Sequence, residues 1–225
     1  MKTIGIIGAM PSELKDIQST QESPAGYDIA GYTFMESTHG ANKIVTACCG
    51  IGKVNAAVCT QIMIDRFNVD CIINTGIAGG MKRGIKVLEI VVSTTVLPHD
   101  LDRHFLADYP PYHAEYEADA DLQRLAAEVC DEMGIVHHAG KIVSGDAFVT
   151  DSAVKAKITE AHDPDAIDME TAAIGQCAWR NKVPFVSVRC ISDLADDDGA
   201  MSFDEFEVRA AQRVAEIVMK MCERE

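Results

Sequence analysis

Apolar residues fall along this chain in two rhythms, short unbroken β-branched runs and longer stretches with a helical repeat, and the two alternate from one end to the other. Thr3 to Ile7 is a β-branched run without polar alternation, the pattern of a strand buried on both faces. Gly8-Ala9-Met10 turns that strand into a helix, which Pro11 and Ser12 suit as opening residues. Glu13 then stands at the carboxyl edge of the first strand, beside a positive helix end that favours its ionised form. Tyr32 to Glu36 and Ile44 to Cys48 flank Gly40-Ala41-Asn42 and read as a hairpin. Gly50-Ile51-Gly52-Lys53-Val54 leads into a helical pattern that reaches about Phe67. Val69 to Asn74 is another buried strand, and it empties into what reads as a loop, Thr75-Gly76-Ile77-Ala78-Gly79-Gly80, whose glycines let a ligand approach the backbone.

Val87 to Leu97 is long, apolar and β-branched, and it ends at Pro98-His99-Asp100-Leu101-Asp102. Arg103 to Tyr116 is rich in aromatics and proline without a clear period, so it reads as an ordered loop, a lid or a subunit contact. Asp119 to Met133 has helical spacing, with Leu122, Leu125, Ala126 and Val129 on one face. Val136 to Val143 reads as a strand running into Ser144-Gly145-Asp146-Ala147-Phe148-Val149. A final amphipathic helix opens at Met201-Ser202-Phe203-Asp204-Glu205-Phe206 and extends toward Met221, with Ser202 and Glu205 spaced as a capping box.

The stretch from Asp165 to Asp193 organises the rest. A short apolar run ends in Asp168-Met169-Glu170, an Ala-rich helical pattern follows, and an apolar strand closes on Ser192-Asp193. If the two strands are parallel, the crossover brings their carboxyl ends to one edge of the sheet, where open α/β sheets bind ligands, so that Glu170 and Asp193 share a crevice. Each acid also fits a purely structural role, Glu170 as a first-turn helix acid and Asp193 as a cap for the segment after it.

Composition narrows the possibilities. With 225 residues, 48% of them hydrophobic, the chain can bury one substantial core, and a single α/β domain spanning 1–225 is expected. A formal net charge of -15 disfavours a nucleic-acid or anionic-membrane partner, since phosphate binding needs clustered Lys and Arg. The eight cysteines form no CxxC pair and several lie inside apolar patterns, as expected of small buried hydrophobes in a reducing cytoplasm. The N-terminal apolar run is too short for a signal sequence, and no run approaches the roughly 20 apolar residues of a membrane span. Gly50 to Lys53 lacks the third glycine of a dinucleotide fingerprint and the spacing of a Walker loop. His99, Asp100 and Asp102 lack the further His or Cys ligands of a metal cluster, so no metal is expected.

Separated segments can then be read together. Gly5-Ile6-Ile7-Gly8-Ala9-Met10 with Glu13, Gly50-Ile51-Gly52-Lys53-Val54, Ile73-Asn74-Thr75-Gly76, Ser144-Gly145-Asp146-Ala147-Phe148, Met169-Glu170 with Ile191-Ser192-Asp193, and Ser202 to Phe206 resemble, in order and spacing, the 5′-methylthioadenosine/S-adenosylhomocysteine nucleosidases. The resemblance implies a nucleoside phosphorylase-type α/β fold with a central mixed sheet flanked by helices, assembled as a homodimer. It also implies hydrolysis of the adenine–ribose bond with neither metal nor organic cofactor. Carried onto matching positions, it makes Glu13 the residue that activates water, Asp193 the acid that assists adenine departure through N7, and Glu170 the ligand of the ribose hydroxyls, with Met169 beneath the sugar. Phe148 would stack on adenine while the backbone of Val149 reads its edge, and Arg189 would help hold the water-binding end. Met10, Ile51 and Phe203 would border the ribose and the 5′-thio group. The family often has serine where this chain has Ile77, which leaves a polar contact missing or supplied by backbone, and serine where it has Cys49. Arg103 to His113 matches least.

Breaking an N-glycosidic bond builds positive charge on the sugar and negative charge on the base, and carboxyl groups on opposite sides of the bond can divide that work. Asp193 needs a raised pKa to donate a proton, whereas Glu13 and Glu170 are expected ionised. Two alternatives stand beside this reading. A phosphorylase of the same fold would need cationic phosphate ligands, and the turn from Gly8 to Leu14 has no Arg or Lys. A non-catalytic nucleoside-binding protein would need none of the three acids.

Overall fold

The computed structural model describes residues 1–196 and 199–225, with the side chains of 199–202, 204 and 205 outside the description. The chain runs β1 (Thr3–Gly8), α1 (Pro11–Ser19), β2 (Ala25–Ile29), β3 (Tyr32–His39), β4 (Asn42–Cys48), α2 (Lys53–Phe67), β5 (Cys71–Gly80), β6 (Ile90–Pro98) and α3 (Arg103–Ala107). It continues with β7 (Tyr116–Glu117), α4 (Ala120–Glu132), β8 (His137–Ser144), α5 (Ser152–His162), β9 (Ala166–Asp168), α6 (Thr171–Asn181), β10 (Phe185–Asp193) and α7 (Gly199–Arg224).

All strands join one mixed sheet of 10 strands ordered β10-β6-β8-β9-β5-β1-β4-β3-β2, with β7 on β6 and an additional pairing of β10 with β5. That pairing closes β5, β9, β8, β6 and β10 on one another, so half of the sheet is a barrel and the other half an open extension. β1 lies between β4 and β5, parallel to both. Ile4, Ile6 and Ile7 are fully buried on its two faces, which is why its sequence shows no alternation. α7 covers the sheet with a fully buried stripe that includes Ala210, Val214, Ile217, Val218 and Met221.

Four sequence expectations change. Thr75 to Gly80 is the second half of strand β5 and no loop, every residue of it buried. Gly76, at φ +145, is required because a Cβ there would run into the Glu13 carboxylate and the Arg189 guanidinium, so it makes room for these two buried side chains rather than for a ligand. The Asp165–Asp193 unit is no parallel crossover, since β9 runs antiparallel to β5 whereas β10 runs parallel to it. Barrel closure brings its two ends together instead: Gly79 is the register partner of both Ile167 and Asp193. The stretch from Arg103 to Tyr116 contains α3, whose first turn is capped where Asp102 accepts the His104 N–H at 3.3 Å, and it leads into β7 through a cis Pro110-Pro111 bond. Finally, α7 begins at Gly199, which puts Ser202 inside the helix instead of at its cap; the Ser202 and Glu205 side chains lie outside the described residues.

The hairpin is β3 and β4, joined at Gly40-Ala41. Its outer partner β2 carries no apolar signal because it is an exposed edge strand. β6 begins at Ile90 rather than Val87, the chain turning just before it through Leu88 at φ +69.

Candidate active site

A cavity of about 280 Å³ opens where the carboxyl ends of β1, β5, β9 and β10 meet. Four acids reach it, Glu13, Asp168, Glu170 and Asp193, and its remaining wall is largely apolar, with Met10, Ile51, Ile77, Phe148, Met169 and Phe203. Acids distant in sequence thus face one cavity.

Glu13 lies in the first turn of α1, reaches back under the β1–α1 turn and is 2% exposed. One carboxylate oxygen accepts the Ala9 N–H at 2.6 Å and the Met10 N–H at 3.0 Å, and the other accepts the Ile77 N–H at 3.0 Å. The Arg189 guanidinium stands 3.7 Å away. Burial nevertheless pushes the Glu13 carboxyl above the usual range, against the pull of Arg189 and the N–H groups. The sequence favours an ionised Glu13 from the helix end alone; enclosure raises its affinity for a proton, which makes the ionised form a stronger base.

Arg189, on β10, is wholly buried and stands behind the cavity wall rather than in it. Its guanidinium pairs with Asp168 at 2.5 Å and lies 3.9 Å from Glu170. It also donates to Asn74 Oδ1 at 2.8 Å and to Thr171 Oγ1 at 3.0 Å. Asp168, at the end of β9, accepts from the Ser144 and Thr171 hydroxyls and from the Thr171 N–H at 3.2 Å, which fixes the first turn of α6 and therefore Glu170. Glu170 does not cap α6 with its side chain; it turns away and accepts the Gly52 N–H at 2.9 Å.

One guanidinium therefore faces three carboxyl groups, and all three cannot hold a negative charge at low cost in a buried site. Burial, followed by the neighbouring Asp168, pushes the Glu170 carboxyl up to about 7. The expectation of a fully ionised Glu170 is corrected accordingly. A carboxyl group raised in the fold contributes stability that is present below its unfolded value near 4.5 and lost as pH rises through about 7. Glu170→Gln keeps an acceptor for Gly52 without the titration, so its melting temperature should fall less between about pH 5 and pH 8 than that of the wild type; parallel melting curves would contradict this.

Asp193 ends β10 and is 1% exposed. Its carboxyl accepts the Ala195 N–H and the Ser192 hydroxyl, both at 2.8 Å, and burial pushes its pKa upward, as a proton donor requires. Phe148 is 51% exposed and meets Phe203 edge to face, ring centroids 5.4 Å apart, at the open side of the cavity. Val149 does not line the main cavity; it borders a smaller adjoining recess together with Phe148, Met169 and Asp193. The Ile77 side chain is in the wall and its N–H on Glu13, so backbone supplies a polar contact at this position.

Sequence reasoning gave no role to Asn74, Ser144 or Thr171 and passed over Asp168. Part of the signal was there as polar residues interrupting apolar strands, Asn74 on β5 and Ser187 on β10; with Thr171 at the start of α6 they hydrogen-bond one another beneath Arg189. Asp100, which the sequence does not assign to a metal site, pairs with Lys53 and accepts the Asp146 N–H at 2.9 Å.

A model of the phosphorylase superfamily matches residues 3–223. The chain is 42% identical over 227 residues to 5′-methylthioadenosine/S-adenosylhomocysteine nucleosidase of Exiguobacterium sp., covering 98% of this chain and 97% of the relative. It is similar to the crystal structure of the Neisseria meningitidis enzyme of that name in complex with methylthio-immucillin-A, with TM-score 0.96, 35% identity and all of both chains covered. It is also similar to the futalosine hydrolase of Helicobacter pylori, with TM-score 0.93, 30% identity, and 100% and 98% coverage of the two chains.

Proposed function

The chain belongs to the phosphorylase superfamily and, within it, to the 5′-methylthioadenosine/S-adenosylhomocysteine nucleosidases, and from that membership we infer that it hydrolyses the N-glycosidic bond of methylthioadenosine, adenosylhomocysteine and related 5′-substituted adenosines, releasing adenine and the 5′-thioribose. The observation that carries the reading is the meeting of Glu13, Glu170 and Asp193 around one apolar cavity.

In the proposed reaction a water molecule gives a proton to Glu13 as its oxygen bonds to the anomeric carbon. The bond from that carbon to adenine N9 breaks, its electrons pass into the base, and Asp193 protonates N7. Glu170 holds the ribose hydroxyls and, in its ionised form, offsets the positive charge that grows on the sugar. Met169 lies beneath the sugar, while Met10, Ile51, Ile77 and Phe203 enclose the ribose and 5′-thio end. Phe148 stacks on adenine, and the Val149 backbone reads its edge. Arg189 is a positioning residue, acting through Glu13, Asp168 and Glu170.

A phosphorylase reading is disfavoured because no Lys or Arg is among the described residues lining the cavity, and Arg189 is engaged behind it. Methylthioadenosine incubated with and without phosphate decides: free methylthioribose in both cases supports the hydrolase, the 1-phosphate sinks it, and tight binding without adenine release would make the chain a binding protein. The futalosine hydrolase likeness adds an aminofutalosine-type nucleoside to the substrate panel.

A second copy of the chain is the proposed partner. Val54, Leu101, Phe105, Tyr109 and Tyr112 are large, exposed and apolar, and Val54 and Leu101 border one groove. A monomeric mass by light scattering would refute it. The eight free cysteines fit a reducing cytoplasm, and disulfides in protein taken from cells would contradict that placement.

A further inference from the structure

The β5–β10 ladder slips register between Ile191 and Asp193, and its last pair is Asp193 with Gly79. A bulge of this kind re-aims the side chain at the end of a strand, and here that side chain is the proposed acid. Immediately past the last pair the two strands part, and an ammonium group stands between them. Lys155, half-buried on α5, donates to the carbonyl of Gly80 at 3.0 Å and to the carbonyl of Leu194. The residue after Leu194 is Ala195, held at φ +51, a left-handed conformation that is strained for any residue bearing a Cβ. Within this turn the Ala195 N–H donates to Asp193 Oδ1, 2.8 Å away. Both of these Lys155 hydrogen bonds go to backbone carbonyls. α5 itself starts just beyond Phe148 and Val149, where Asp151 caps it through the Ala153 and Val154 N–H groups.

We propose that Lys155 is a positioning residue for the proton donor: by pinning the parting ends of β5 and β10, it holds the strained turn that orients Asp193 and ties it to the segment that stacks on the base. The inference rests on the nucleosidase reading. It goes beyond that reading by adding a residue outside the cavity wall, on an element that none of the three acids occupies.

The ammonium also contributes positive charge near Asp193. Among the described residues, the other charged groups facing this carboxyl are Asp196 in the following turn and, across the cavity, Asp168, Glu170 and Glu13. Gly79 and Ile167, its neighbours on β5 and β9, carry no charge. Removing the ammonium should therefore raise the proton affinity of Asp193, and the high-pH limb of activity should move upward.

The test uses full-length wild type with Lys155→Met, Lys155→Gln and Lys155→Arg, measuring adenine release from methylthioadenosine across pH. Lys155→Met should lose about 10- to 100-fold in kcat, the scale of a misplaced catalytic group, with KM changed by less than about threefold. Its high-pH limb should shift upward, and Lys155→Arg should restore both kcat and the limb. Lys155→Gln, which keeps N–H donors without charge, should recover part of kcat and retain the shifted limb, and it is read in the same way if the methionine variant does not fold. A kcat within about twofold of wild type with an unmoved limb, in whichever of the two folds, overturns the inference. So does a loss in Lys155→Arg as large as in Lys155→Met. Absence of adenine release by the wild type is a different failure, that of the nucleosidase reading itself.

Discussion

Asp193→Asn is expected to fold as the wild type does, to bind methylthioadenosine, and to lose about 10²- to 10⁴-fold in adenine release, the range that general acid assistance supplies. The substitution is close to isosteric. The amide oxygen can still accept the Ala195 N–H and the amide N–H₂ can face the Ser192 hydroxyl, so neither of the partners now at 2.8 Å is orphaned. Asparagine is permanently neutral and can still hydrogen-bond to the base, but it has no proton to give. Burial pushes Asp193 toward the neutral form that the amide mimics, and the loss should appear in kcat with the substrate dissociation constant nearly preserved. Single-turnover adenine release paired with calorimetric binding separates the two quantities. Turnover near that of the wild type would mean that another group protonates the base.

Glu13→Gln should lose a similar factor in kcat, about 10²- to 10⁴-fold, but with a cost in stability that the Asp193 variant does not share. Both Glu13 oxygens accept backbone N–H groups, one from Ala9 and Met10 and the other from Ile77. An amide must turn its N–H₂ toward one of these sets, leaving at least one buried donor without an acceptor at about 1–3 kcal/mol. The Arg189 guanidinium at 3.7 Å loses a counter-charge as well. The expected result is a folded protein with a lower urea midpoint and almost no adenine release, whereas Asp193→Asn keeps its midpoint. A Glu13→Gln protein with both properties intact would show that water is activated elsewhere.

The contrast between these acids explains which parts of the site could be read from the sequence. Asp193, Glu170 and Glu13 stand out because each is an acid placed where an apolar run gives way to a turn or helix, and such a location marks a strand end. Their pairing partners do not stand out. Asp168 sits one residue before Met169 and looks like part of the same acidic triplet, yet it faces a different environment, taking Arg189 and the Ser144 and Thr171 hydroxyls. Arg189 reads as one polar residue in an apolar strand, and its complete burial depends on Asn74, Asp168 and Thr171 arriving from three other elements. The glycines of Thr75 to Gly80 misled for a related reason. A glycine-rich run looks like a loop when its neighbours are unknown, and it is a strand here because Glu13, Arg189 and Asp193 occupy the space that side chains would otherwise fill.

By itself, the sequence determined which segments become strands and helices through most of the chain, the hairpin of β3 and β4, the acids at strand ends, and, through the order and spacing of its motifs, the family. Those properties follow from local periodicity and from residue identity, which a linear string carries in full. Tertiary structure alone decided that β9 and β10 run in opposite directions around a closed barrel, that Gly79 lies between their ends, and that one buried guanidinium must serve three carboxyl groups. Protonation states belong to that second set, because the pKa of a carboxyl group is set by the solvent it loses and the charges brought beside it, and both are fixed only when distant segments close around it.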